Sequence, residues 1–489
     1  MQVVVVGAGP AGLSAAYELA QAGVKVQVYE QDPDFVGGIS RTVEYKGFRF
    51  DIGGHRFFSK SQEIEEFWSQ ILGPDLLTRP RQSRIFYQGK FFDYPLRPLN
   101  AFFNMGLVET IRCLADYTNA KMHPHPNPQT FEDWVINHFG ERLYRMFFKT
   151  YTEKVWGVDC AEISADWAAQ RIKGLSLSSA IINAFKSKTA KNGQQTIKTL
   201  IDEFRYPTLG PGMLWERVAQ HIVQLGGEIH MGTKITQLSR KDNAVTAVSY
   251  TDQAGQSVTV PTDHVISTMP VRSLFRSMGQ SVPDAVQLRA NALKYRDFIT
   301  VSLIIDTPHL FSDNWIYIHD PRVKVGRIQN FKNWSPFMVP DSSKTCLGLE
   351  YFCFEGDGLW TSSDDQLLAL AENELRQIGL LNQRTVLDGT VIRVPKAYPV
   401  YDDEYKEHLT ILQSYLHHHA TNVQLVGRNG MHRYNNQDHA MMTGFLAARN
   451  ILGGQYDLWA VNGDAEYLED VADERLVPSR ITAQSKPVG

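Results

Sequence analysis

Apolar positions along this chain switch between two periods. Val3–Val6 is a short β-branched run and reads as a buried strand. The Ala- and Leu-rich stretch from Pro10 to Ala22 reads as a helix, and Lys25–Glu30 alternates as a second strand. Strand, helix and strand in that order make a βαβ unit, which requires a parallel sheet. Helical patterns return from Gln62 to about Leu72 and from Asn100 to Leu175, where TFEDWVINHFGERLYRMFFKTYTEKVW carries apolar residues at i, i+3, i+4. FKSKTAKNGQQTIKT (Phe185–Thr199) is polar and weakly patterned, the composition of a mobile flap. GGEIHMGTKITQLSRKDNAVTAVSY reads as consecutive strands with a turn at Lys241–Asn243, and Asp263–Pro270 as another buried strand. Strands and loops alternate from about 297 to 400. Asn422–Gly430 is a last strand, followed by a helix in DHAMMTGFLAARNILGG that ends on glycine. The final thirty residues or so have no core pattern.

The first βαβ unit carries candidate chemistry. Gly7, Gly9 and Gly12 form G-x-G-x-x-G between strand and helix, with Pro10 and Ala11 opening the helix. The first glycine makes the turn, the second lets backbone approach a pyrophosphate, and the third lets helix and strand pack closely. The helix N-terminus supplies N–H groups and partial positive charge to a phosphate. Glu30 closes the second strand, where a carboxylate accepts from ribose hydroxyls and disfavours a 2′-phosphate. This combination predicts a bound dinucleotide and argues against resident NADP.

Bulk properties narrow the picture further. A chain of 489 residues is long enough for two or three structural units. The net charge of −4 gives no global field for nucleic acid or anionic lipid. No apolar run nears the ~20 residues needed to span a bilayer, and no charged, cleavable leader precedes the first strand. Cys113, Cys160, Cys346 and Cys353 form no C-x-x-C pair, so reduced thiols in a cytoplasmic protein without a metal site are expected.

GGISRT (Gly37–Thr42) resembles the second glycine-rich segment of FAD proteins of the glutathione-reductase type, which implies that Gly38, Ile39, Ser40 and Arg41 meet FAD, Arg41 at its phosphates. Further segments resemble UDP-galactopyranose mutases, the longer eukaryotic type more closely than the compact bacterial one. They are FDIGGHRFFSK, FFDYPLRPLN, TYTEKVWGV, WAAQRIKG, NWIYIHDPRVKVGRIQNFKNWSP, AYPVYD and GRNGMHRYNNQDHAMMTG, spread from Met1 to about Gly454. The resemblance implies an α/β fold: a Rossmann-like FAD-binding domain (1–60, 205–290 and 415–455), an inserted helical domain with a mobile loop (100–200), an antiparallel sheet substrate domain (61–99 and 291–414), and a C-terminal tail (456–489).

It also implies a chemistry in which no electron leaves. Reduced FAD attacks the anomeric carbon of a nucleotide sugar through N5, displaces the diphosphate, and the sugar recloses as the other ring form. Arginine suits a leaving diphosphate because its fork binds two oxygens and stays charged. By resemblance the clamp is Arg171 with Arg327, and His55 lies against the flavin. Tyr94, Arg97, Tyr206, Tyr317, Tyr398 and Tyr434 fall at substrate positions, and Trp156 and Trp315 read equally as core aromatics or nucleotide contacts. Gly53, Gly54, Ile235, Gly427, Arg428, Asn436, Gln437 and Asp438 fall at flavin positions. NADPH or NADH is the implied external reductant, bound transiently because one dinucleotide grip is visible.

Two departures concern the substrate. YPTLGPGML (Tyr206–Leu214) replaces a more glycine-rich stretch, and Arg97 stands where those enzymes carry glutamine. Both bear on which sugar and nucleotide are bound. The rival reading is an FAD-dependent oxidoreductase of the amine-oxidase or desaturase type, which shares the grip but has no use for two arginines at a diphosphate. A non-catalytic flavoprotein is the third.

Overall fold

The structure is a computed structural model that describes residues 1–94, 96–165, 203–252 and 254–462. The expected βαβ unit is present: strand Gln2–Val6, helix Pro10–Gln21 and strand Lys25–Tyr29. The first strand lies parallel to both Lys25–Tyr29 and His264–Ser267, and a five-stranded parallel sheet is completed by Glu228–His230 and Val423–Leu425 at its edges. Val3, Val4 and Val5 are fully buried, as a strand covered on both faces requires. Helix Gln437–Ile451 packs on Pro10–Gln21 so closely that a Cβ on Gly444 would lie 2.2 Å from the Ala11 carbonyl oxygen.

A seven-stranded sheet forms the second layer, in the order Val386–Pro399, Tyr295–Ile305, Thr345–Cys353, Arg327–Asn330, Trp315–Ile318, Ser83–Tyr87 and Lys90–Asp93. It is antiparallel except where Trp315–Ile318 meets Ser83–Tyr87 in parallel. Strand Tyr295–Ile305 is buried at every position. Ile299, Val301, Leu303 and Ile305 face one core, while Phe298 and Ile304 face another. The first of these cores is roofed by helix Asp364–Gln377, which the strand-and-loop reading of 297–400 overlooked. Its signal was local: Ser363 and Gln366 form a capping box at its start.

Helix Gln62–Leu72 has its expected bounds but not its expected neighbours. Ile64, Phe67, Trp68 and Ile71 join the core of the parallel sheet, as do Leu409 and Leu412 of helix Tyr405–His419. The expected division places Gln62–Leu72 and residues 405–414 with the antiparallel sheet, because amphipathicity shows that a face is buried but not against what. Between Pro98 and Trp156 the chain forms a run of short helices, separated by a loop at 123–130 and breaks at Gly106 and Gly140 and carrying a π-helical turn at Arg145–Lys149. The expected flap at 185–199 lies outside the described residues. Among the described residues, no helix is long and apolar enough to cross a membrane.

Candidate active site

One cavity of about 2670 Å³ runs from the glycine turn to the antiparallel sheet. Single-ligand pockets measure ~300–1,000 Å³, so there is room for more than one ligand. At the first end Gly7 has φ +98°, and Gly12 has no space for a side chain: a Cβ there would lie 2.0 Å from the Gly7 carbonyl oxygen. Gly12 therefore packs helix on strand and does not line the cavity, whereas Gly7, Gly9, Pro10 and Ala11 do. Gly9 is the N-cap of the helix and provides no side-chain cap. The Glu30 carboxylate accepts from the backbone N–H groups of Ala8 at 2.7 Å and Asp32 at 2.9 Å, which fixes it at the end of its strand. Arg41 pairs with Asp32, a partner that the sequence reading did not name, and its Nε is buried without a protein partner. Gly38, Ile39, Ser40 and Ile235 line the same stretch.

Sheet register builds the other end. Tyr317, Arg327 and Glu350 are direct cross-strand partners on three adjacent strands, so all three share one row. The Arg327 Nε donates to Glu350 at 2.8 Å, and its Nη2 reaches the same carboxylate oxygen. Glu350, fully buried, accepts from Gln329 Nε2 at 2.9 Å with its other oxygen, and Gln329 Oε1 accepts from Trp334 Nε1 at 3.1 Å. This chain of bonds aims the guanidinium. Burial by itself would lower the pKa of Arg327, but the buried Glu350 carboxylate outweighs it and holds the group charged.

Aromatic rings surround Arg327. Tyr94 packs edge-on to Tyr317 at 5.0 Å, and Tyr317 edge-on to Tyr151 at 5.4 Å. Tyr398 and Tyr434 stack at 5.5 Å, with the Arg428 guanidinium 5.0 and 4.7 Å from their centroids. Burial pushes the Tyr398 phenol up to about 12, so it stays protonated and able to donate. Trp156, Trp315 and the exposed Arg97 also line the cavity.

The loop carrying Gly53, Gly54 and His55 brings the two ends together. A Cβ on Gly53 would sit 3.8 Å from Arg327 Nη2, and one on Gly54 would sit 2.7 Å from Gln329 Nε2. The His55 Nε2 lies 2.7 Å from the Ile39 carbonyl. A carbonyl can only accept, so this nitrogen carries the proton and Nδ1 is left as an acceptor. Burial, with Arg428 and Arg327 adding to it, pushes His55 down to about 3, which keeps the ring neutral.

Nearly the whole described chain matches one family, that of flavin containing amine oxidoreductases, over residues 10–452. The chain belongs to that family. A probable UDP-galactopyranose mutase from Klebsiella pneumoniae is 28% identical over 33% of this chain and 43% of its own length. A dTDP-fucopyranose mutase from Escherichia coli is 25% identical over 34% of this chain and 44% of its own. The matched stretch thus spans less than half of either relative. The crystal structure of a reduced UDP-galactopyranose mutase superposes with a TM-score of 0.80, covering 95% of this chain and 97% of that one at 23% identity, a likeness of fold.

A flavin dinucleotide, the cofactor type of this family, fits the residues present. Gln437, at the start of helix Gln437–Ile451, lines the cavity with both its amide nitrogen and its amide oxygen buried and unpartnered by protein. A flavin edge with donors and acceptors would satisfy such a group. Asn436, Asp438, Gly427 and Arg428 line the same wall, with Asp438 accepting from Ser59 at 3.0 Å.

One expected substrate residue is displaced. Tyr206 is fully buried among Phe204 and Trp334, its hydroxyl donates to the buried Asp51, and it does not line the cavity. Its strand, Glu203–Pro207, pairs with Leu76–Pro80, and this register turns the ring into the core. Arg171 lies outside the described residues. The sequence reading missed Tyr151, Gln329 and Glu350, which the cross-strand register and the cavity wall reveal. Tyr151 sat inside the matched segment TYTEKVWGV, in which Trp156 alone had been singled out.

Proposed function

We propose that this protein is a flavin-dependent mutase that interconverts the pyranose and furanose forms of a nucleotide sugar, with no net redox change. One observation carries the reading: a charged arginine, oriented by a buried carboxylate and ringed by five tyrosines, stands beside the Gly53–His55 loop where the two ends of the cavity meet. Two mutases share sequence with the chain, and the names of both their substrates contain a nucleoside diphosphate.

Reduced FAD would supply the nucleophile, its N5 atom, and NADPH or NADH the electrons that prime it. The rest falls to the chain's own residues. Arg327 holds the departing diphosphate, whose charge grows as its bond to the sugar breaks, and its fork spans two oxygens. Arg171 is the second arm of that clamp. Tyr317, Tyr398, Tyr434 and Tyr94 wall the sugar and diphosphate and donate to their oxygens. Neutral His55 offers an acceptor without adding charge next to Arg327. Enclosure by these rings keeps water from the sugar while it is detached from the diphosphate.

The test is to incubate full-length holoenzyme, reduced with dithionite under anaerobic conditions, with a panel of nucleotide sugars. Ring-contraction products that vanish with oxidised flavin support the mutase. No isomerisation across the panel, with flavin reduction by an amine instead, sinks it in favour of an oxidase. Arg327→Ala should lose turnover ~10²–10³-fold, the scale of a lost charge-stabilising donor, while keeping its FAD. Loss of FAD would show that the arginine serves the cofactor and not the diphosphate.

A further inference from the structure

Lys154 takes no part in the chemistry just described, yet it makes the full set of hydrogen bonds that an ammonium can make. Its Nζ donates to the carbonyls of Ile318 at 3.1 Å, Asp320 at 2.7 Å and Val325 at 3.1 Å. These acceptors lie on both arms of the connection between strands Trp315–Ile318 and Arg327–Asn330. Lys154 itself sits on the short helix Thr150–Trp156, which carries Tyr151 and Trp156 into the cavity. A single side chain therefore ties the helix bearing Tyr151 to the two strands bearing Tyr317 and Arg327.

A second cation holds the same C-terminal end of this helix, beside Lys154. The buried Arg296 donates through Nε to the Val155 carbonyl at 3.1 Å and through Nη2 to those of Lys154 at 3.3 Å and Phe352 at 3.0 Å. Gly157 then ends the helix in a left-handed conformation, φ +69°, where a Cβ would lie 2.5 Å from the guanidinium. Helical backbone runs on from Glu141–Tyr144 through the π-helical turn Arg145–Lys149 into this helix, and the contacts of Lys154 and Arg296 fix where its last turns dock. Tyr151 depends on this docking for its place: it lies against His319 at 4.9 Å and edge-on to Tyr317 at 5.4 Å.

We propose that Lys154 is a positioning residue, which sets the wall formed by Tyr151 at the diphosphate end of the cavity by locking its helix to the connection between the Tyr317 and Arg327 strands. This inference rests on the nucleotide-sugar reading above. Burial pushes the Lys154 ammonium down to about 8, although Glu374 and Asp320 nearby pull the other way. A lysine whose pKa falls on folding weighs against the folded state while charged. What the group provides is geometry: three N–H bonds in fixed directions. The charged neighbours already have partners of their own, Asp320 with Arg322, and Glu374 with Tyr351 and the backbone of Lys324 and Val325.

A double-mutant cycle on the full-length holoenzyme tests it, with UDP as the probe, flavin content as the control, and Lys154→Met, Tyr151→Leu and their combination as variants. Lys154→Met should keep its FAD, weaken UDP binding ~10-fold, the scale of one misplaced aromatic contact, and lower kcat/KM on the order of 100-fold through the shifted geometry. Because Lys154 acts through Tyr151, the combined variant should bind UDP no more weakly than the worse single one. Additive losses, or unchanged UDP binding and turnover in Lys154→Met, overturn the proposal and leave the mutase reading standing. A parent protein that binds neither UDP nor dTDP, the nucleotides in the names of the two related mutases, overturns both. If Lys154→Met yields no holoenzyme, Lys154→Arg, which keeps the charge but alters the bond directions, runs the same cycle with the same outcomes.

Discussion

Replacing Glu350 with glutamine removes one charge and almost no volume, yet the structure predicts a large loss. Glu350 presents two acceptors. One oxygen takes two N–H groups of Arg327 and the other takes Gln329 Nε2. A glutamine has one oxygen and one NH₂, so whichever way it turns, a donor faces a donor. Flipping Gln329 does not help, because its own oxygen already accepts from Trp334 and the conflict would move there. The Glu350 side chain is 0% exposed and that of Arg327 17%, so water relieves little of this. Breaking a buried ion pair from one side costs ~3–5 kcal/mol, and the access of Arg327 to the cavity favours the lower end. At 2–4 °C per kcal/mol for a unit of 150–250 residues, about 3 kcal/mol lowers the melting temperature by roughly 6–12 °C. The assay is thermal unfolding of four holoproteins: parent, Glu350→Gln, Arg327→Gln, and both together. The double variant should be more stable than the two single losses sum to, because removing the charge of Arg327 removes what Glu350 compensates. A Glu350→Gln protein within 1 kcal/mol of the parent, or strictly additive losses, would refute the account of how Arg327 is aimed.

Other predictions follow from single features. Gly12→Ala places a methyl 2.0 Å from the Gly7 carbonyl oxygen and should sharply reduce FAD bound per chain, read from flavin absorbance. Burial pushes the Asp51 carboxyl up to about 8, with Glu350 adding to the rise and Tyr206 and Thr42 opposing it. The folded state therefore holds a proton that the unfolded chain releases at ~4. Stability should fall as pH rises from ~4 to about 8 and level off above; urea unfolding at several pH values should show that slope in the parent and lose it in Asp51→Asn. His55, pushed down to about 3, binds no proton in the folded state near neutrality, so its contribution should make stability rise from about pH 3 to ~6.5 and then stay flat. An NMR titration that finds His55 protonating near 6.5 would contradict its burial beside Arg327 and Arg428.

The parallel-sheet half of the molecule was largely legible because its information is local. The spacing of Gly7, Gly9 and Gly12, the β-branched run before them and Glu30 after them fix a turn, a helix start and a strand end within thirty residues. The glycines are demanded by contacts within that same unit: Gly12 against Gly7, five residues apart. The same holds for helix Gln62–Leu72, whose bounds come from its own amphipathic pattern. What that helix packs on could not be read this way, since burial of a face says nothing about the partner.

The far end of the cavity was decided by tertiary structure. Tyr317, Arg327 and Glu350 span 34 positions of sequence, and only strand register puts them in one row. Register also separates Tyr206 from Tyr317: both are strand tyrosines in a sequence rich in aromatics, but one points at Asp51 in the core and the other at the cavity. A strand shows its side chains to two faces in alternation, and a single residue's slip would exchange them. Sequence alone therefore determined that this chain grips a dinucleotide and which residue types are available to act on it. That Arg327 is charged, aimed and enclosed was settled when three strands and a helix, held by Lys154, came together around it.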